Sequence, residues 1–138
     1  MVMHGSPQDL RNMYDQLVAM LLPQLPPPSD AVDAKNGDVD GIKYRLYTPK
    51  EASKSGPLPV AIWTHGGGWM TGDLDSDDLL CRLIAEHVPS IVVNIDYRLA
   101  PEHKAPTQLQ DTLKVCRWVS RHSWVSDNGV LLNLTRNM

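Results

Sequence analysis

The stretch His65-Gly66-Gly67-Gly68-Trp69 is the part of this sequence best suited to chemistry. It follows the strand formers Val60-Ala61-Ile62-Trp63-Thr64 and comes before a helical pattern. Glycine loses more backbone freedom on folding than any other residue, so three in a row need a reason. Without Cβ atoms, their N–H groups can meet a ligand directly. That suits the stabilisation of a negative oxygen developing in acyl transfer. A phosphate cradle is the rival, but neither the dinucleotide nor the P-loop glycine spacing is present. The residues alone leave two readings open, an oxyanion loop and a plain tight turn.

Other reactive types are less organised. Asp73-Leu74-Asp75-Ser76-Asp77-Asp78 begins like a calcium loop, but position six is Asp78 instead of Gly and position twelve is Ile84 instead of Glu. Asp75, Asp77 and Asp78 better suit a helix N-terminus, where negative charge is favourable. His4, His87, His103 and His122 show no ligand spacing, and no metal or other cofactor is expected. Cys81 and Cys116 fall on apolar helical stripes and read as buried, reduced thiols.

The elements that must hold the glycines follow from periodicity. Ser6, Pro7 and Asp9 mark a helix start. Leu10, Met13, Tyr14, Leu17, Val18 and Leu21 then repeat at helical spacing, until Pro23 and Pro26-Pro27-Pro28. A packing helix is the favoured reading, and a flap over a binding site is the sharper one. Residues 1–30 thus form a cap-like helix and Pro-rich linker. From Ala31 to Pro49, alternation around Asn36-Gly37 and Asp40-Gly41 predicts an edge hairpin. Residues 58–64 and 89–96 are continuous apolar strands, the pattern of a parallel sheet covered on both faces. Between them a helix over about 76–88 should turn Leu79, Leu80, Leu83, Ile84 and Val88 inward. A third helix from about Pro106 should bury Leu109, Leu113, Cys116 and Val119.

His65 to Trp69 and the run Tyr97-Arg98-Leu99-Ala100-Pro101-Glu102-His103, one strand–helix–strand unit apart, resemble the hormone-sensitive-lipase-like esterases. These are the fold-3 branch of the α/β-hydrolases. The similarity runs from about Ala31 to Arg121, and the run from Gly56 to Trp69 looks like fungal esterases of secondary metabolism. The resemblance implies an α/β fold: a truncated α/β-hydrolase with a partial, mostly parallel sheet, an N-terminal edge hairpin and flanking helices. It implies a carboxylic-ester hydrolase acting on a small-molecule ester. Gly67 and Gly68 would supply the oxyanion N–H groups, a known role of this motif in lipases and esterases. His65 and Gly66 would support the loop, and Trp69 would line the substrate pocket. Tyr97, Arg98, Glu102 and Asp111 would form a polar network beneath it.

In that family a serine in a G-x-S-x-G turn attacks, with an Asp or Glu and then a His further on. None of the nine serines here sits in that pattern. The expectation is therefore the N-terminal half of a hydrolase domain, residues 31–122, inactive alone. Residues 123–138 read as a tail of out-of-frame or intron-derived origin. Without a nucleophile strand, residues 60–64 should present an exposed apolar edge and the chain should be poorly soluble. A non-catalytic small-molecule-binding module, or a product with no independent function, are the alternatives.

Composition fits this frame. Apolar residues at 42% and charged residues at 21% are ordinary for one globular domain. A net charge of −3 offers no basic face for nucleic acid. No run reaches membrane-spanning length. Acidic residues and Arg11 precede the apolar run at 17–22, which argues against a secretory signal. Asn133-Leu134-Thr135 is then a chance match to a glycosylation acceptor. A cytoplasmic protein is expected.

Overall fold

A computed structural model describes residues 5–122 and the backbone of residues 125–133. The order of elements is helix α1 (Pro7–Leu21), strands β1 (Val32–Val39), β2 (Ile42–Pro49) and β3 (Leu58–Thr64), helix α2 (Asp78–His87), strand β4 (Ile91–Asp96), helix α3 (Thr107–Val119) and strand β5 (Val125–Asn133). The strands form one sheet in the order β1-β2-β4-β3-β5. Pairing is antiparallel across β1-β2-β4 and parallel where β3 meets β4 and β5.

β1 and β2 make the edge hairpin, closed by Asp40 (φ 50°) and Gly41 (φ 84°). Two left-handed residues match the turn to the strands' own twist. Asn36-Gly37, the other turn signal, lies within β1 instead. Gly37 is needed there because a Cβ would sit 2.3 Å from the Tyr44 ring of β2.

The sheet is covered on both faces. Val60, Ile62, Val93 and Ile95 pack with Val115 and Val119 of α3. Tyr47, Trp63 and Val92 pack with Cys81 and Ala85 of α2. Ile84 and Val119 face in as expected, but most of each expected stripe does not. Leu80 and Leu83 of α2 and Val88 just after it are exposed, while Cys81 and Ala85 face in. Leu109 and Leu113 of α3 are exposed, while Gln108, Asp111, Thr112, Val115 and Val119 are buried. For α3 the reason is that its start buries polar groups bonded to the turn after β4. Cys116 is only half-buried.

The acids before α2 also differ from expectation. Asp77 flanks the helix without capping it, and its carboxylate accepts the indole N–H of Trp63 at 2.8 Å. Asp75 and Asp78 both accept from Arg45, and Asp78 also accepts from Tyr47 and Arg82. They therefore fasten α2 to β2 instead of serving mainly the helix dipole.

α1 begins with the expected capping box, in which Ser6 N–H donates to Asp9 at 2.7 Å and Ser6 Oγ accepts Asp9 N–H at 3.2 Å. The packing role expected for its apolar face is not what is observed. α1 buries no residue, and Met13, Leu17, Met20 and Leu21 are exposed.

The expected bare edge at β3 is also corrected. β5 pairs with it in parallel, with Val60 opposite Val130 and Trp63 opposite Asn133. The register shifts between Leu58 and Val60, so residues 126–129 form a bulge. The apolar run after Gly129, read from sequence as part of a tail outside the hydrolase domain, lies in this strand.

Cys81 is fully buried, and burial raises its thiol pKa. A thiol reagent should label Cys116 first and reach Cys81 only as the chain unfolds. Equal, rapid labelling of both in the native chain, read by mass spectrometry, would contradict this packing.

Candidate active site

β3 delivers the glycine loop at its C-terminal end. Each carbonyl along this loop that has a partner is held on the protein side. The Tyr97 hydroxyl donates to His65 O at 2.7 Å. His65 Nδ1 lies 2.9 Å from Gly66 O, and since a carbonyl only accepts, that ring nitrogen carries the proton. Gly67 O accepts three donors, Met70 N–H, Thr71 N–H and Thr71 Oγ1, each at 3.1 Å. Ala100 N–H donates to Trp69 O at 2.8 Å, and Arg11 Nε donates to Met70 O at 2.8 Å.

In a planar trans peptide the carbonyl and the following N–H point in opposite directions. Holding Gly66 O toward His65 therefore turns the Gly67 N–H away from it. Holding Gly67 O toward Thr71 does the same for the Gly68 N–H. Among the described residues, neither N–H donates to any acceptor.

The glycines differ in what demands them. Gly67 (φ 117°) allows no side chain, because a Cβ would lie 2.3 Å from Thr71 O. At Gly72 (φ 96°) a Cβ would lie 2.3 Å from His65 Nδ1. Gly68 (φ 60°) and Gly66 face open space, with nothing within 4 Å of a Cβ. Trp69 also takes left-handed φ (65°), unusual for a bulky residue, and its side chain is half exposed. Such strain persists where the surroundings impose it, as the Ala100–Trp69 bond does here.

His65 is fully buried and stacks on Tyr97, with ring centroids 4.2 Å apart and planes at 13°. Its Nε2 has no hydrogen-bond partner among the described residues. Burial pushes the Tyr97 phenol pKa up, so it stays a donor.

The four polar residues expected beneath the loop divide into three positions. Tyr97 sits under His65. Arg98 makes a fork to Asp111, with Nε at 2.9 Å and Nη2 at 2.7 Å, and Gln108 of α3 donates to the Arg98 and His103 carbonyls. Burial alone would raise the Asp111 pKa, but the Arg98 hydrogen bonds outweigh it and hold it low. Glu102 pairs with Arg11 of α1 instead. Arg11, Thr71 and Gln108 were not among the expected site residues. Arg11 meets partners 59 to 91 positions away, so no local pattern marks it. Among the described residues no group of three or more His, Cys, Asp or Glu could hold a metal. No described helix is long and apolar enough to cross a membrane.

Comparison with known proteins identifies the fold and the family. A sequence model of the alpha/beta hydrolase fold matches residues 61–133, which carries the likeness past Arg121 and through β5. A versiconal hemiacetal acetate esterase of Dothistroma septosporum is 53% identical over 122 residues, 88% of this chain and 37% of that protein. The esterase LipI of Mycobacterium tuberculosis is 41% identical over 104 residues, 73% of this chain and 32% of its own. Among solved structures, a thermophilic carboxylesterase cloned from a metagenomic library superposes with a TM-score of 0.79 at 31% identity, covering 96% of this chain and 46% of its own. The chain belongs to the hormone-sensitive-lipase-like esterase family of the alpha/beta hydrolase fold. It spans about a third of the length of the curated relatives it matches.

Two substitutions separate the steric demand from the chemical one. Gly67→Ala should cost roughly 1–3 kcal/mol in urea unfolding, from left-handed strain and the clash with Thr71. Gly66→Ala should stay within about 1 kcal/mol of the parent, because its site is open and its φ ordinary. Equal losses would contradict the assignment.

Proposed function

We propose that the Gly66–Gly68 loop is the oxyanion hole of a carboxylic-ester hydrolase, with the N–H groups of Gly67 and Gly68 as donors. One observation carries this reading. The carbonyls of Gly66 and Gly67 are both held by the protein, which leaves the two following N–H groups aimed away and without acceptors. When a nucleophile adds to an ester carbonyl, the π pair moves onto oxygen. Two fixed N–H dipoles stabilise that charge without having to reorganise, and loss of one such donor costs about 10²–10³ in kcat in a serine hydrolase.

The 138 residues contain no serine in a G-x-S-x-G turn. These residues alone therefore hold the carbonyl oxygen and do not attack the carbon. A small-molecule ester is the partner. The relative at 53% identity is named for a hemiacetal acetate, which favours a short acyl group. An apolar cleft of about 300 Å³ between the start of α1 and Met70 lies beside the loop and suits the remainder of the ester. The free thiols Cys81 and Cys116 fit a reducing, cytoplasmic setting.

Titrating isotope-labelled chain with butyrate tests the donors. The amide resonances of Gly67 and Gly68 should move downfield and saturate. If other amides move and these two do not, the oxyanion reading fails. The same chain should hydrolyse p-nitrophenyl butyrate at the rate of buffer. Turnover above that, lost on substitution of Gly67, would show an attacking group within these residues.

A further inference from the structure

We infer that Arg11 is a positioning residue for the oxyanion loop, reaching it from a helix that buries no residue. This rests on the proposed role of Gly67 and Gly68. α1 buries no residue, yet the Arg11 side chain is only 18% exposed. Its guanidinium serves three acceptors at once. Nε donates to Met70 O at 2.8 Å, Nη2 donates to Ala100 O, and Nη1 and Nη2 grip the Glu102 carboxylate. Among the described residues, no other side chain of α1 hydrogen-bonds outside the helix and its cap.

The Met70 bond reaches the glycines through two peptide planes. Arg11 fixes Met70 O, and so points the Thr71 N–H the opposite way. That N–H donates to Gly67 O at 3.1 Å. Gly67 O is in turn opposed to the Gly68 N–H, the second proposed oxyanion donor. A second, looser link lies at Ala100, whose carbonyl Arg11 also holds, although that carbonyl and the Ala100 N–H belong to different peptide planes. The Ala100 N–H fixes Trp69 O, which directs the Met70 N–H onto the same Gly67 oxygen. Both sets of bonds end on one carbonyl, and Arg11 stands at the head of the Met70 route and braces the residue that starts the other.

A planar fork suits this work and an ammonium does not. Lysine carries the charge for Glu102, but it is a point donor and cannot span two carbonyls and a carboxylate with fixed geometry. The Glu102 carboxyl is drawn down to about 2 by its hydrogen bond from Arg11. Its folded value lies below its ordinary one. The ion pair therefore contributes fully above the ordinary glutamate range and is lost as pH falls toward 2.

The test compares amide spectra of the parent chain, Arg11→Ala and Arg11→Lys. In Arg11→Ala the Gly68, Met70 and Thr71 amides should shift while those of β4 stay in place. Butyrate affinity should fall about tenfold, the scale of one or two lost charge-assisted bonds. Added guanidinium ion should restore both, a rescue that generic destabilisation would not show. Arg11→Lys should fall between the two, and it keeps the test valid if the alanine variant misfolds. A Gly68 amide at its parent position in a folded Arg11→Ala or Arg11→Lys chain would overturn the proposal. If the parent chain does not bind butyrate, the oxyanion reading fails, but the Gly68 shift still decides the role of Arg11.

Discussion

The Gly67 carbonyl is the point on which the site depends. Three donors converge on it from Met70 and Thr71. That closure is possible only because residue 67 has no Cβ, which would collide with Thr71. It forces left-handed backbone at Gly67, Gly68 and Trp69. Peptide planarity then converts a held carbonyl into an aimed N–H. The glycines thus serve two needs at once. Gly67 makes the turn sterically possible, while the open faces of Gly66 and Gly68 leave room for a ligand against the backbone.

The rest of the fold keeps this loop still. The parallel pairing of β3 and β4 sets His65 beside Tyr97, so that one ring stacks on the other and the phenol reaches the His65 carbonyl. The turn after β4 is pinned to α3 by Arg98, Asp111 and Gln108. That turn in turn holds Trp69. A charge-assisted fork onto a 1%-exposed carboxylate is strong where both partners are oriented, and breaking it would leave Asp111 buried without its cation. Stability and site geometry therefore share residues. This explains why the buried face of α3 begins with polar groups.

Much of this was legible in the sequence, and the misses share a cause. The helix cap at Ser6, the hairpin turn at Asp40-Gly41 and the two apolar strands are local signals, and each lies where its pattern predicts. The inward faces of α2 and α3 were misjudged in part, Ile84 and Val119 aside, because periodicity selects the largest apolar residues. The contacts instead favoured the small Cys81 and Ala85, and the bonded Gln108 and Asp111. β5 was not anticipated because a bulge interrupts its pairing with β3 and breaks the alternation. Arg11 left no trace at all. Its partners come together only after the sheet has formed, and a cation on an exposed helix looks the same with or without them.

Hydrogen exchange at single residues tests the orientation of the loop most directly. The amides of Met70 and Thr71 are bonded to Gly67 O, and among the described residues those of Gly67 and Gly68 have no acceptor. In the folded chain the first pair should exchange slowly and the second pair at nearly the rate of an open peptide. Protected Gly67 and Gly68 amides beside fast Met70 and Thr71 would mean that the peptide planes are turned the other way. The loop could not then present its N–H groups to a negative oxygen.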